Sequence, residues 1–300
     1  MAINALRVQH QETGLDELDL SVVIPAFNEE RAVRNTVNLV RHALDATDLS
    51  YDIITVNDGS TDSTLAEARK SGARVIDQQA NLGYGAALKA GILAGSSKYV
   101  AILDADGTYP AEVLPQMMEI ARDFDMVVGD RGPAMNNVPL IRRPGKWILN
   151  SLANFLAERK IPDVNSGMRV FRRSALMPYM RLLPDGFSFT TTITLSMICG
   201  GLRVQYFPIN YGKRLGNSKI RAKHFFTFML LVLRIVMLFQ PLRIFLPLGF
   251  MLFLLGCGKL AYDLTLLNVS ESAIFGLLAA LIIWSLGLIA DMISRLHLRP

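Results

Sequence analysis

Two carboxylates one residue apart, Asp104 and Asp106, close the apolar segment KYVAILDAD (98–106). Alternate side chains of a strand share a face, so a strand over 98–106 turns both acids to one side. Carboxylates that close repel unless a cation lies between them. A hard divalent ion, Mg2+ or Mn2+, suits the pair, with phosphate oxygens completing its shell. A short acidic pair on a loop can equally be solvated, but the strand before it and the turn Gly107-Thr108-Tyr109-Pro110 after it favour a site. Three further junctions have the same character. Asn57-Asp58-Gly59-Ser60-Thr61-Asp62 ends an apolar run and opens a helix; Ser60, Thr61 and Asp62 are helix-capping types, which leaves Asn57 and Asp58 without a capping role. Pro25-Ala26-Phe27-Asn28-Glu29-Glu30 is another strand end. Asn81-Leu82-Gly83-Tyr84-Gly85 has glycines that let a backbone approach a ligand. It lacks the G-K-[ST] of a Walker loop and the spacing of a dinucleotide fingerprint.

The elements behind these junctions alternate. Short buried strands are expected over 21–27, 51–58, 73–78, 98–106 and 126–131. Helices are expected over 28–44, where Val33, Val37, Val40 and Leu44 share a face and Asn28 caps the start, and over 63–71 and 83–96. Repeated strand–helix–strand units imply an α/β fold, a mostly parallel sheet flanked by helices. Such sheets bind ligands beyond the carboxyl ends of their strands, which is where these junctions fall.

The chain has 300 residues, 51% hydrophobic and 19% charged, with 31 Lys+Arg against 26 Asp+Glu and a net charge of +5. Its mean hydropathy of +0.31 is high for a wholly water-soluble domain. Disorder, collagen and a disulfide scaffold are excluded. Cys199 and Cys257 are far apart in apolar surroundings and form neither a disulfide framework nor a zinc site. The basic balance carries no nucleic-acid signature, and basic residues beside a lipid-compatible segment read as headgroup contacts. Amphipathic interfacial helices are expected over 145–159 and 218–240. Two apolar stretches follow, about 243–265 and 272–293, the second uncharged from Ser272 to Ala290 and the first interrupted by Lys259 and Asp263. A span needs about 20 apolar residues, so a transmembrane hairpin is expected rather than two buried core helices. Arg243, Arg295 and Arg299 place both its ends in the cytoplasm by the positive-inside rule. Residues 1–20 are polar and lack the apolar core of a secretory signal. The domains expected are a tail (1–20), a cytoplasmic catalytic domain (21–217), an interfacial helix (218–240) and the hairpin (241–300). Gly256 and Gly258 could pack helices closely, within the hairpin or in a homo-oligomer.

SVVIPAFNEE, VNDGSTDST, NLGYGAALKAGI and ILDADGTYP, in that order, resemble the nucleotide-sugar-binding half of family 2 glycosyltransferases with the GT-A (Rossmann-like) fold. More narrowly, the chain resembles the polyprenyl-phosphate glycosyltransferases, such as the dolichol-phosphate mannose synthases. Gly129-Asp130-Arg131, the run Asp163 to Arg169 with Arg172 and Arg173, and Arg214-Leu215-Gly216-Asn217-Ser218-Lys219 carry the narrower likeness. The resemblance implies a nucleotide-sugar donor, a polyprenyl phosphate acceptor, the lipid bilayer as partner, no nucleic acid, and Mg2+ or Mn2+ on Asp104 and Asp106. It implies donor binding around Pro25, Asn28, Glu29, Asn57, Asp58, Gly83, Lys89, Asp104, Ala105, Asp106 and Arg131. It implies acceptor-phosphate contacts from Arg142, Arg143, Ser166, Arg169, Lys213, Arg214 and Lys219, with Asp106, Arg131 and Asp163 closest to the chemistry. Arginine forks suit phosphate oxygens.

Three positions depart from the family. Asn57-Asp58 stands where members often have Asp-Asp, Thr108 where mannose synthases often have Gln, and Thr190, Thr191, Thr192 and Thr194 where they tend to have a Glu. The last two departures favour a UDP-hexose over GDP-mannose. An inverting transfer is implied, and because a phosphate monoester is largely ionised near pH 7, it needs little general-base help. That agrees with His10, His42, His224 and His297 lying outside every motif. The competing readings are a transferase to another lipid, a polysaccharide synthase, whose Q-x-x-R-W signature is absent, and a non-catalytic membrane scaffold.

Overall fold

A computed structural model of the chain describes residues 18–132, 154, 160–186, 188–212, 236–237, 239–267 and 269–297. In chain order the elements are β1 (Leu20–Ala26), α1 (Val33–Asp45), β2 (Tyr51–Asp58), α2 (Thr64–Lys70), β3 (Arg74–Gln78), α3 (Tyr84–Ala94), β4 (Tyr99–Ile102), α4 (Leu114–Ala121), β5 (Met126–Asp130), β6 (Arg169–Arg172), α5 (Arg173–Leu176), α6 (Phe189–Cys199), β7 (Val204–Pro208), α7 (Leu242–Thr265) and α8 (Glu271–His297). The strands form a seven-stranded sheet in the order β3-β2-β1-β4-β6-β5-β7. β6 runs antiparallel to both neighbours, and the other pairings are parallel. Both faces of the sheet are covered, which is why β1 is buried throughout. Val22 and Ile24 pack with α1 and α4, and Val23 packs with α3 and α6 on the other face.

The strand order reverses between β1 and β4, so the crevice beyond their carboxyl ends is the switch point where such sheets place ligands. The pairing there is uneven. β1 pairs with β4 only to Val23↔Ile102 but with β2 as far as Ala26↔Asn57. Leu103 N–H still reaches the Val23 carbonyl at 3.1 Å. The next β1 residue facing that side is Pro25, which has no N–H to continue the ladder. The strand expected over 98–106 therefore stops at Ile102, and Asp104 and Asp106 sit on a turn beyond it. Strand alternation thus does not set their direction; the turn does, through Gly107 at φ 72°.

The helix expected from residue 28 begins at Val33. Asn28 adopts φ 57° and turns its side chain to the next junction instead of capping α1. The other early strands and helices fall within a residue or two of expectation.

At the C-terminus α7 and α8 pack along their length as a hairpin. Gly256 and Gly276 meet backbone to backbone: a Cβ on Gly276 would lie 3.3 Å from the Gly256 Cα. Gly249 receives the Trp284 ring and Gly287 receives Phe245. A Cβ on Gly258 would meet nothing within 4 Å, so of the two glycines singled out only Gly256 gives the hairpin a close approach. Most of the hairpin's large apolar side chains, from Leu246 to Ile293, are exposed. Only 11% and 17% of the two apolar stretches are buried, which decides against two core helices of a soluble protein. Lys259 and Asp263, which interrupt the first stretch, pair with each other one helical turn apart, and Asp263 accepts the Ser270 N–H at 3.1 Å, closing the tip. The hairpin's base joins the core of the sheet: Val236 and Phe239 are buried in it, and Phe239 packs against Tyr179 with ring centroids 6.2 Å apart. Of the helices expected over 145–159 and 218–240, only Asn154, Val236, Met237, Phe239 and Gln240 are among the described residues.

Gly91 is where α3 presses closest on the sheet. A Cβ there would collide with Val23 Cγ1 and lie 3.1 Å from Val56 Cγ2. Gly91→Ala should cost about 1–3 kcal/mol by overpacking, read as a lowered Tm, whereas Gly258→Ala should leave the Tm unchanged.

Candidate active site

The loops after β1 and β2 form one rim. Asn28 N–H donates to Ser60 Oγ at 3.0 Å, and its side-chain oxygen accepts the Thr61 N–H at 2.9 Å. Glu29 N–H donates to Thr64 Oγ1 at 2.8 Å. Glu30 N–H donates to Asp62 at 3.3 Å, and the Glu30 carboxylate accepts the Ser63 N–H at 3.0 Å. The expected donor residues Pro25, Asn28, Glu29, Asn57 and Asp58 are therefore brought to one edge. Asn57 and Asp58 are buried and hold neighbours in place. Asn57 donates to Asp77 at 2.8 Å, and Asp58 accepts the N–H groups of Leu82 and Gly83 at 2.8 and 3.1 Å. The space left by Gly83 and Gly85 is filled by the backbone of Pro184–Gly186, so these glycines admit a protein loop rather than stand open to a ligand. That loop is tied down further by Lys89, which pairs with Asp185 at 2.8 Å.

The Asp104–Asp106 turn is stitched to its surroundings on every side. The Ala105 carbonyl accepts from the buried Thr36 hydroxyl at 3.0 Å. Asp106 accepts both the N–H and the hydroxyl of Thr108, at 3.1 and 2.6 Å. The Thr108 carbonyl accepts the Gly212 N–H at 2.8 Å. Asp104 accepts the Tyr84 hydroxyl at 2.8 Å. Both carboxylates are only partly buried. Among the described residues no three acidic, histidine or cysteine side chains gather around one point. Asp104 and Asp106 are therefore the residues that would hold a divalent metal. Hard oxygen donors of that kind fit Mg2+ or Mn2+.

Arg131, at the end of β5, forks onto Asp163: Nε and Nη2 donate to the two carboxylate oxygens at 2.7 and 2.9 Å. Each side chain is 10% exposed. The guanidinium also lies over the Tyr211 ring, 5.4 Å from its centroid, and Tyr211 meets Tyr109 edge to face at 5.0 Å. Burial pushes the Asp163 carboxyl up, but the hydrogen bonds and charge of Arg131 outweigh it and hold it below the usual range. Arg169 is fully buried. It donates to the carbonyls of Ser166 and Val164 at 2.8 and 3.0 Å and to the Thr194 hydroxyl at 2.6 Å. Its guanidinium shapes the 163–167 loop from beneath, and burial lowers its pKa. Ser166 is buried in the same loop, accepting the Met168 N–H at 3.3 Å. Arg142, Arg143, Lys213, Arg214 and Lys219 lie outside the described residues.

Side chains that no motif argument singled out complete the site: Tyr84, Tyr109, Tyr211, Asp77 and Asp185. Tyr84 and Tyr109 lie inside the glycine segment and the turn singled out by sequence, but neither is given a role there.

The glycosyl transferase family 2 model matches residues 21–179, and the GtrB C-terminal hairpin model matches residues 240–296. The chain is 35% identical over 204 residues to the dolichyl-phosphate hexose transferase of Haloferax volcanii, covering 67% of this chain and 86% of that one. It is 26% identical over 312 residues to the dodecaprenyl-phosphate galacturonate synthase of Rhizobium johnstonii, covering 95% and 90%. The fold is similar to that of glucosyl-3-phosphoglycerate synthase from Mycobacterium tuberculosis, solved with Mn2+, UDP and glucosyl-3-phosphoglycerate, at a TM-score of 0.56 and 20% identity over 73% of this chain and 79% of that one.

Removing one member of a buried ion pair strands the other, at about 3 kcal/mol. Asp163→Ala should lower the Tm by roughly 6–12 °C. With its pKa lowered in the folded state, Asp163 contributes stability that is complete above the ordinary carboxylate range and lost as pH falls through the lowered value. The stability gap between the wild type and Asp163→Asn should therefore be flat from about pH 8 to 5 and close below about pH 4.

Proposed function

The chain belongs to glycosyl transferase family 2 and is a glycosyltransferase; on that premise we propose that it moves a hexose from a nucleotide-sugar to the phosphate of a polyprenyl phosphate. A UDP-hexose is the first choice of donor and GDP-mannose the second, and the reaction inverts the anomeric carbon with help from Mg2+ or Mn2+. The observation that carries the reading is the junction of two parts in one body. A paired-carboxylate turn stands at the switch point of the sheet, and an apolar hairpin is seated on the same core through Phe239 and Tyr179. The names of the relatives, one acting with dolichyl phosphate and one with dodecaprenyl phosphate, support the same acceptor chemistry.

In this reading an oxygen of the lipid phosphate forms the new bond to the sugar's anomeric carbon, and the bond from that carbon to the donor diphosphate breaks. The nucleoside diphosphate leaves with the bonding electrons. Asp104 and Asp106 would hold the metal, which neutralises charge growing on the leaving group. The acceptor's second pKa near 6 means that it arrives ionised at pH 7, so no side chain has to remove a proton. The rim of Asn28, Glu29, Asn57 and Asp58 orients the nucleoside. The Arg131–Asp163 pair fixes the floor between donor and acceptor, and Arg142, Arg143, Lys213, Arg214 and Lys219 supply positive charge for phosphates. Arg243, Arg295 and Arg299 at the hairpin's ends favour a cytoplasmic catalytic domain over 21–217, joined through 218–240 to the spans.

Purified protein in liposomes containing a short polyprenyl phosphate, given Mn2+ and labelled UDP- or GDP-hexoses singly, should move label into the organic phase from one donor. Asp104→Ala should reduce that transfer by at least about 100-fold, the scale of losing a transition-state charge contact, while the Tm stays within a few degrees of wild type. Undiminished transfer in both Asp104→Ala and Asp106→Ala would sink the metal-site assignment. Nucleotide binding without transfer from any hexose would favour another sugar or acceptor, and no nucleotide binding would favour a scaffold.

A further inference from the structure

Asp104 is wedged. On one side the Tyr84 hydroxyl donates to its Oδ1 at 2.8 Å. On the other side its carboxylate lies flat against the Cα of Gly167: a Cβ there would be 2.7 Å from Asp104 Cγ and would collide with Oδ2. Gly167 is itself pinned, donating its N–H to the Tyr109 hydroxyl at 2.7 Å. The three partners come from separate places in the chain: the first turn of α3, the loop leading into β6, and the turn after Asp106.

We propose that Tyr84 and Gly167 are positioning residues that set the rotamer of Asp104 for the metal and donor diphosphate. This rests on the metal reading given above. A carboxylate on an open turn rotates freely and loses entropy when it takes up a cation. Here the phenol fixes one oxygen, and the missing side chain at residue 167 is what lets the carboxylate lie where it does. Outer-shell partners of metal ligands commonly govern metal affinity in this way. The neutral phenol also leaves the carboxylate's charge intact, which a cationic residue at position 84 would partly cancel.

The test is the affinity for Mn2+, measured by its EPR signal in the full-length protein with whichever of UDP or GDP raises the wild-type Tm. Tyr84→Phe keeps the ring and removes only the hydroxyl. It should weaken Mn2+ binding about 10-fold, the lower end for losing an outer-shell partner, without lowering the Tm by more than a degree or two. Its transferase activity should recover toward wild type as Mn2+ is raised, a dependence that a general loss of packing would not give. Gly167→Ala should weaken binding further. Wild-type Mn2+ affinity in Tyr84→Phe, with Asp104→Asn binding none, would overturn the wedge and leave the metal reading standing. Wild-type affinity in Asp104→Asn, or no Mn2+ binding by the wild type with either nucleotide, would overturn the metal reading and the wedge with it.

Discussion

β4 is paired on both sides only as far as Ile102, to β1 in parallel and to β6 in antiparallel, and the site depends on that stop. β1 continues alongside β2 through Pro25 and Ala26, so a notch opens on the β4 side where Pro25 has no N–H to offer. The chain leaving β4 places Asp104 and Asp106 beyond this notch before it turns at Gly107. Thr36, Thr108, Tyr84 and Gly212 then hold that turn from α1, from within, from α3 and from the end of β7. Extending the ladder by four residues would draw both acids into the sheet and remove the site.

The charges around the notch divide into two kinds. Asp104 and Asp106 are partly exposed and, in the proposed reaction, would meet the cation and the diphosphate. Arg131, Asp163 and Arg169 are buried and serve the shape of the wall. Arg169 offsets its desolvation with two carbonyls and a hydroxyl rather than a carboxylate, which makes the 163–167 loop stiff where Gly167 must lie against Asp104. Buried polar groups are costly unless they are fully bonded, and here the bonding converges on the one acidic side chain that the proposed chemistry needs most. The apolar hairpin joins the same body through Ile244 and through Phe239 just before it, packed beside the helices that cover the sheet.

Much of this was legible in the sequence. The parallel strands, the two apolar spans and the four junctions all follow from periodicity and composition, because apolar runs capped by turn residues leave few alternatives. What the sequence could not announce were contacts between distant segments. Asn28 looks like a helix cap, yet it bonds across to Ser60 and Thr61 and delays α1 to Val33. The glycines of the 81–85 segment look like a ligand cradle, but their space is taken by a loop a hundred residues later. Arg169 reads as a phosphate-binding arginine beside Arg172 and Arg173, and only its complete burial reveals a role beneath the loop. Tyr84 has no sequence signature of acidity or charge, and its importance appears only when α3 places its hydroxyl on Asp104.

The most direct test of the account is to locate the metal and the nucleotide. The full-length protein, prepared in lipid nanodiscs with Mn2+ and the nucleoside diphosphate that stabilises it, can be imaged at a resolution that shows both. Mn2+ is expected against Asp104 and Asp106, with the diphosphate oxygens completing its shell and the base on the rim formed by Asn28, Glu29 and Asp58. A nucleotide seated away from the β1–β4 notch, or a metal held without either aspartate, would contradict it.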